Sequence, residues 1–135
     1  MFQTETQIRV RYSETDRMSF VYYGHYAQYF EVARVEAMRS MGITYKKMEE
    51  GGFLLPVIEY SIKYFKPAFY DDLLTIKTKI PKLPEVRIDF EYETYNETGV
   101  LLNKARTTLV FINSRTNRPC SAPGYFLEKM REYYL

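Results

Sequence analysis

The chain has 135 residues, 46% of them hydrophobic and 27% charged, which excludes a disordered tail protein and fits a single domain over 1–135. Nineteen Lys and Arg stand against 17 Asp and Glu, and a net charge of +2 is too small to argue for a nucleic-acid partner. No apolar run approaches the about 18 residues that a bilayer span needs, and Met1 to Glu5 lacks the basic and apolar regions of a secretory signal, so a cytoplasmic protein without stable membrane insertion is expected.

Thr6 to Tyr12 alternates, with Thr6, Ile8, Val10 and Tyr12 on one side, which predicts a half-buried strand. Between Gly24 and Gly42, Tyr26, Phe30, Ala33, Ala37 and Met41 follow helical spacing, and Gly42 suits the C-terminal cap. Ala27, Tyr29 and Met38 widen that stripe, and Val32 and Val35 lie on the far side, so a helix buried over most of its circumference is expected. Thr44 to Glu50 reads as a short helix with Thr44 as N-cap.

Four longer alternating runs follow: Val57 to Lys66, Leu74 to Ile80, Val86 to Glu93 and Val100 to Asn113. Pro67 with Asp71-Asp72, then Pro81 to Glu85, then Asn96-Glu97-Thr98-Gly99 separate them. Connections this short predict an antiparallel meander, because parallel pairing needs crossovers of about a dozen residues or more. Pro123 to Tyr134 completes the chain as a helix. The implied class is α+β: a five-stranded antiparallel sheet curled around one long helix, the hotdog architecture. Open sheet edges invite a second copy, so a homodimer or homotetramer is expected.

The inventory narrows the chemistry. One histidine, His25, and one cysteine, Cys120, exclude a Cys/His zinc site within the chain and an intrachain disulfide framework. No Gly-x-Gly-x-x-Gly, P-loop or Gly-x-Ser-x-Gly motif occurs, which leaves a carboxylate as the expected working group of a hydrolase. Fourteen tyrosines and nine phenylalanines suit strands and ligand pockets alike.

The informative segment runs from Arg11 to Tyr26 and places Asp16 shortly before the long helix. A helix start presents unpaired N–H groups and a positive dipole end, where an oxyanion would be stabilised. A carboxylate aimed there can attack a carbonyl or deprotonate a water that does. Asp16 can equally be a loop residue bonding its own backbone.

Three motifs, Tyr12-x-x-Thr15-Asp16, Tyr22-Tyr23-Gly24-His25-Tyr26 and Phe30-Glu31-Val32-Ala33-Arg34, resemble the signature of the 4-hydroxybenzoyl-CoA thioesterase-like family of hotdog acyl-CoA thioesterases. A second block, Lys66-Pro67 followed by Tyr70 to Thr78, is similar too, and the resemblance covers roughly residues 5 to 125. It implies Asp16 as the catalytic carboxylate and the Tyr23 backbone N–H as the donor that polarises the thioester carbonyl. It implies no metal and no bound cofactor, coenzyme A being part of the substrate. The sequence departs from that family at Ser19, where glycine is usual, at Tyr23, where many members have His, and at His25, where Asn or Ser is commoner.

Substrate-binding candidates are Tyr22, His25, Tyr26 and Lys66. Among Lys63, Lys66, Lys104, Arg106, Arg115 and Arg118, nothing in the sequence selects a phosphate partner. Glu31 is a second carboxylate, most simply paired with Arg34. Tyr22, Tyr23, Tyr26 and Tyr29 with Phe53, Leu54 and Leu55 would form an apolar acyl pocket without a basic residue. That pocket favours medium- to long-chain aliphatic over aromatic acyl groups and disfavours succinyl-CoA. The expected activity is hydrolysis of an acyl-CoA to free acid and coenzyme A; the alternatives are a non-catalytic acyl-CoA-binding domain and an acyl-ACP thioesterase.

Overall fold

The computed structural model describes residues 1–134. Five strands form one antiparallel sheet: β1 (Phe2–Arg9), β3 (Val57–Tyr64), β4 (Leu73–Ile80), β5 (Arg87–Tyr95) and β6 (Leu101–Val110). Three two-residue strands, β2 (Phe53–Leu54), β7 (Ile112–Asn113) and β8 (Arg118–Pro119), form a second small sheet that the alternation did not reveal. The helices are α1 (His25–Ser40), α2 (Tyr45–Glu50) and α3 (Gly124–Arg131). No described helix is long and apolar enough to cross a membrane.

The sheet order is β1-β4-β5-β6-β3, so the expected meander holds from β4 to β6 and fails at β3. β3 pairs with β6, with Ser61 opposite Arg106 and Tyr64 opposite Asn103, while β1 takes the place beside β4. Three ladder spacings separate β3 from β4, roughly 14 Å, and the eight residues 65–72 can reach about twice that. The link therefore crosses one end of the sheet instead of turning back on itself.

Periodicity and burial agree most closely in β4 and β5. Leu74, Ile76, Thr78 and Ile80 are buried, as are Ile88, Phe90, Tyr92 and Thr94. Their neighbours form charged rows on the outer face, where Lys79 and Lys104 flank Glu93 and Lys82 and Arg106 flank Asp89. β1 starts earlier than expected and ends at Arg9; Tyr12, expected on the inner face, is exposed in a one-turn 3-10 helix, Tyr12–Glu14. The ladder with β4 stops at Arg9 opposite Leu73, which frees the chain to turn.

α1 packs on β1 and β4 through a single buried stripe that includes Tyr26, Phe30, Ala33, Ala37 and Met38. Burial over most of the circumference is not observed, because Glu31, Val32, Glu36 and Arg39 face outward. Phe30 stacks on Tyr92 at 4.5 Å between ring centroids. Each fully buried Phe of this kind contributes about 1.5–3 kcal/mol. The helix ends in a Schellman motif: the Gly42 N–H donates to Arg39 O and the Ile43 N–H to Met38 O, with Gly42 at φ +79°. Thr44 caps α2 by accepting the Lys47 N–H at 3.2 Å. α3 closes the core with Phe126 edge-on to Phe111.

Candidate active site

The segment between β1 and α1 is held by a buried carboxylate. Glu14, 3% exposed, accepts the Arg11 backbone N–H at 2.8 Å, the Arg11 guanidinium at 2.9 and 3.2 Å, and the Tyr29 hydroxyl at 2.8 Å. Burial alone would raise its carboxyl. The bonds from Arg11 and Tyr29 and the Arg11 charge outweigh burial and hold it below the usual carboxylate range. Burial, with the Glu14 bond and charge added, pushes the Tyr29 phenol up.

Beyond Glu14 the chain makes a tight hairpin. Thr15 pairs with Val21, the Asp16 N–H donates to Phe20 O at 2.8 Å, and the Ser19 N–H donates to Asp16 O at 3.0 Å. Asp16 Oδ1 accepts the Met18 N–H at 2.9 Å. Ser19 sits at φ +68°, a left-handed conformation that glycine takes without strain. The hairpin is braced by the β3–β4 link: the Val21 N–H donates to Ala68 O, and the Phe20 ring meets Phe69 edge-on at 5.3 Å.

The start of α1 follows directly. The Tyr22 N–H donates to Glu14 O, the His25 N–H to Tyr22 O and the Tyr26 N–H to Tyr23 O. Among the described residues no carbonyl accepts the N–H of Tyr23 or Gly24, so these two donors remain free at the positive end of the helix. Gly24 permits the Tyr22 ring to cross here, since a Cβ would lie 2.8 Å from it.

These pieces enclose an open cleft of about 510 Å³ lined by Asp16, Phe20, Val21, Tyr23, Tyr26, Tyr64, Phe65, Lys66 and Pro67. Of the six residues singled out in the sequence, Asp16, Tyr23, Tyr26 and Lys66 come together here. Tyr22 and His25 do not line it: the Tyr22 ring tilts against Tyr23 at 4.5 Å, and His25 Nδ1 lies 3.3 Å from Gln28 Oε1 on the helix surface. Burial pushes the Tyr26 phenol up to about 12, so it stays a neutral hydroxyl in the cleft wall.

The acyl pocket expected from the sequence is corrected in its walls. Tyr29 is buried against Glu14, and Phe53 and Leu54 pair with β7, so neither group reaches the cleft. Tyr64 and Phe65 take their place, and Lys66 contributes the cation the sequence pocket lacked. Lys104 and Arg106 are engaged with Glu93 and Asp89 on the outer sheet face. Glu31 and Arg34 do not pair: Glu31 is exposed, while Arg34 is buried and donates to the Tyr92 hydroxyl at 3.2 Å. Sequence reasoning missed Glu14, although it lies inside the recognised motif, because its partner Tyr29 is fifteen residues away.

A hotdog-type sheet and helix, with a carboxylate hairpin at the helix start, define the class as a hotdog-fold thioesterase. The chain belongs to the thioesterase-like superfamily, whose family model matches residues 10–130. It is a thioester hydrolase. It is similar to the putative acyl-CoA thioesterase YneP of Bacillus subtilis, 32% identical over 88% of this chain and 86% of that one. The acyl-CoA thioester hydrolase YbgC of Escherichia coli is 26% identical over 93% of each chain. A crystal structure of a DHNA-CoA thioesterase from Staphylococcus aureus superposes with a TM-score of 0.90 and 35% identity, covering 98% of this chain and 89% of that one.

Proposed function

We propose that this chain hydrolyses acyl-CoA thioesters, with Asp16 as general base or nucleophile and the Tyr23 amide as oxyanion donor. The observation that carries the reading is that Asp16 and the free-amide residue Tyr23 line one cleft at the start of α1. In the general-base route Asp16 takes a proton from water as its oxygen attacks the thioester carbon. The carbonyl oxygen gains charge against the amide, and the C–S bond then breaks as the Asp16 carboxyl returns its proton to the departing sulfur, which gives coenzyme A thiol and the free acid. In the nucleophilic route Asp16 attacks the thioester carbon and the C–S bond breaks, expelling coenzyme A thiolate; water then hydrolyses the mixed anhydride to the free acid and restores the Asp16 carboxylate.

The acyl group we infer is aromatic and hydroxylated. Phe20, Tyr23, Tyr26, Tyr64 and Phe65 give the cleft ring surfaces, and the Lys66 ammonium offers a partner for a ring hydroxyl. The name of the Staphylococcus aureus relative, a DHNA-CoA thioesterase, supports this choice over an aliphatic chain. The whole chain, 1–135, would act as one cytoplasmic hotdog domain whose sheet curls about α1, and as a homodimer joined at β3. Val57, Ile58, Tyr60, Tyr64 and Phe65 expose apolar surface along that open edge, beside the cleft wall.

A thiol-release assay over hydroxybenzoyl, benzoyl and hexanoyl-to-palmitoyl CoA tests the function. Turnover favouring the hydroxyaryl esters, with Lys66→Met lowering kcat/KM for hydroxybenzoyl but not benzoyl by about tenfold, supports it. Tight binding without thiol release would identify an acyl-CoA-binding domain, and turnover restricted to acyl carrier protein esters would identify an acyl-ACP thioesterase.

A further inference from the structure

We propose that Glu14 is the positioning residue of this site, setting the Asp16 hairpin against the start of α1. The inference rests on Asp16 and the Tyr23 amide being the reacting pair. Glu14 bonds to both sides. Through its carboxylate it grips α1, because the Tyr29 hydroxyl, one turn into the helix, donates to Oε1 at 2.8 Å. Through its carbonyl it accepts the Tyr22 N–H at 2.9 Å, the amide immediately before that of Tyr23. Through Arg11 it closes its own turn, taking both the backbone N–H and the guanidinium. Asp16 follows two residues later in the chain.

The consequence is geometric. A carboxylate and an oxyanion donor must meet one carbonyl group, and a misplacement of about 1 Å can cost roughly 10²-fold in rate. On its other side the hairpin bonds to Ala68 and packs against Phe69, and both belong to a link between strands. Glu14 is buried and does not line the cleft, so it acts through Asp16 and not on the substrate.

A double-mutant cycle tests this, with kcat and KM from thiol release and folding followed by thermal denaturation. Glu14→Gln, Asp16→Asn and the double variant are compared in full-length protein. Glu14→Gln keeps one acceptor oxygen and the side-chain shape but loses the charge. We expect it to lower kcat by about 10- to 100-fold with KM changed less than about threefold. In the Asp16→Asn background the same change should cost less than about twofold, because residues acting as one unit are not additive. Equal losses in both backgrounds, or a KM rise that matches the kcat loss, would overturn the positioning role while leaving Asp16 in place. Retained turnover in Asp16→Asn alone would instead overturn the reading on which the inference rests. Should Glu14→Gln not fold, Tyr29→Phe decides: it removes one hydroxyl and leaves the Arg11 bonds. A kcat loss of about three- to tenfold at unchanged KM supports the role. Full kcat in folded Tyr29→Phe overturns it.

Discussion

Oδ1 of Asp16 accepts the backbone N–H of Met18 at 2.9 Å, so one oxygen of the carboxylate serves the hairpin. An asparagine can keep that bond through its amide oxygen while losing the negative charge and the basicity. Asp16→Asn should therefore fold as the parent does and lose turnover by about 10²- to 10⁴-fold. Thiol release is the readout and thermal denaturation the control; a variant keeping a third of the parental rate would remove Asp16 from the chemistry.

Ser19 occupies a left-handed conformation at φ +68° in the turn that carries Asp16. A side chain there costs about 1–2 kcal/mol, and glycine gives back about 0.5–1 kcal/mol in unfolded-chain entropy. Ser19→Gly should raise stability by about 1 kcal/mol in urea denaturation. No gain would mean that the serine holds this backbone path without strain.

The depressed Glu14 carboxyl makes part of the stability pH-dependent. Its folded value lies below the ordinary value of 4.5, so the unfolded chain binds the proton more readily. The stabilisation is complete above the unfolded value and is lost as pH falls through the folded one. Glutamine does not titrate. The stability gap between the parent and Glu14→Gln should stay level from neutral pH to about pH 5 and narrow at lower pH. A gap still undiminished at pH 3 would show that the Arg11 and Tyr29 contacts do not depend on the charge.

Tyr60 lies midway along the open β3 edge, 40% exposed, with its ring near Phe30. Sedimentation at micromolar concentration should show a particle of at least twice the 16.2 kDa chain mass. Tyr60→Lys should shift it toward 16.2 kDa, since a charge on an edge opposes pairing. A parent protein that sediments only at 16.2 kDa would show that this edge pairs with no second copy.

Local patterns carried much of this protein. Period-two alternation placed Leu74, Ile76, Ile88 and Phe90 inward, and helical spacing with Gly42 marked α1 and its end, because each signal lies within a few residues of chain. Asp16, Tyr23, Tyr26 and Lys66 were likewise legible as motif positions, and all four meet in one cleft. Tertiary structure decided what depended on distant partners. The β3–β4 link could turn back or cross over, since both obey the same length and turn chemistry, and only the pairing of β3 with β6 chose the crossing. That crossing brought Tyr64, Phe65 and Lys66 to the cleft and left Phe53 and Leu54 in the small sheet. The burial of Glu14 was equally out of reach, because a carboxylate goes inside only when donors meet it, and one of those donors stands fifteen residues away on α1.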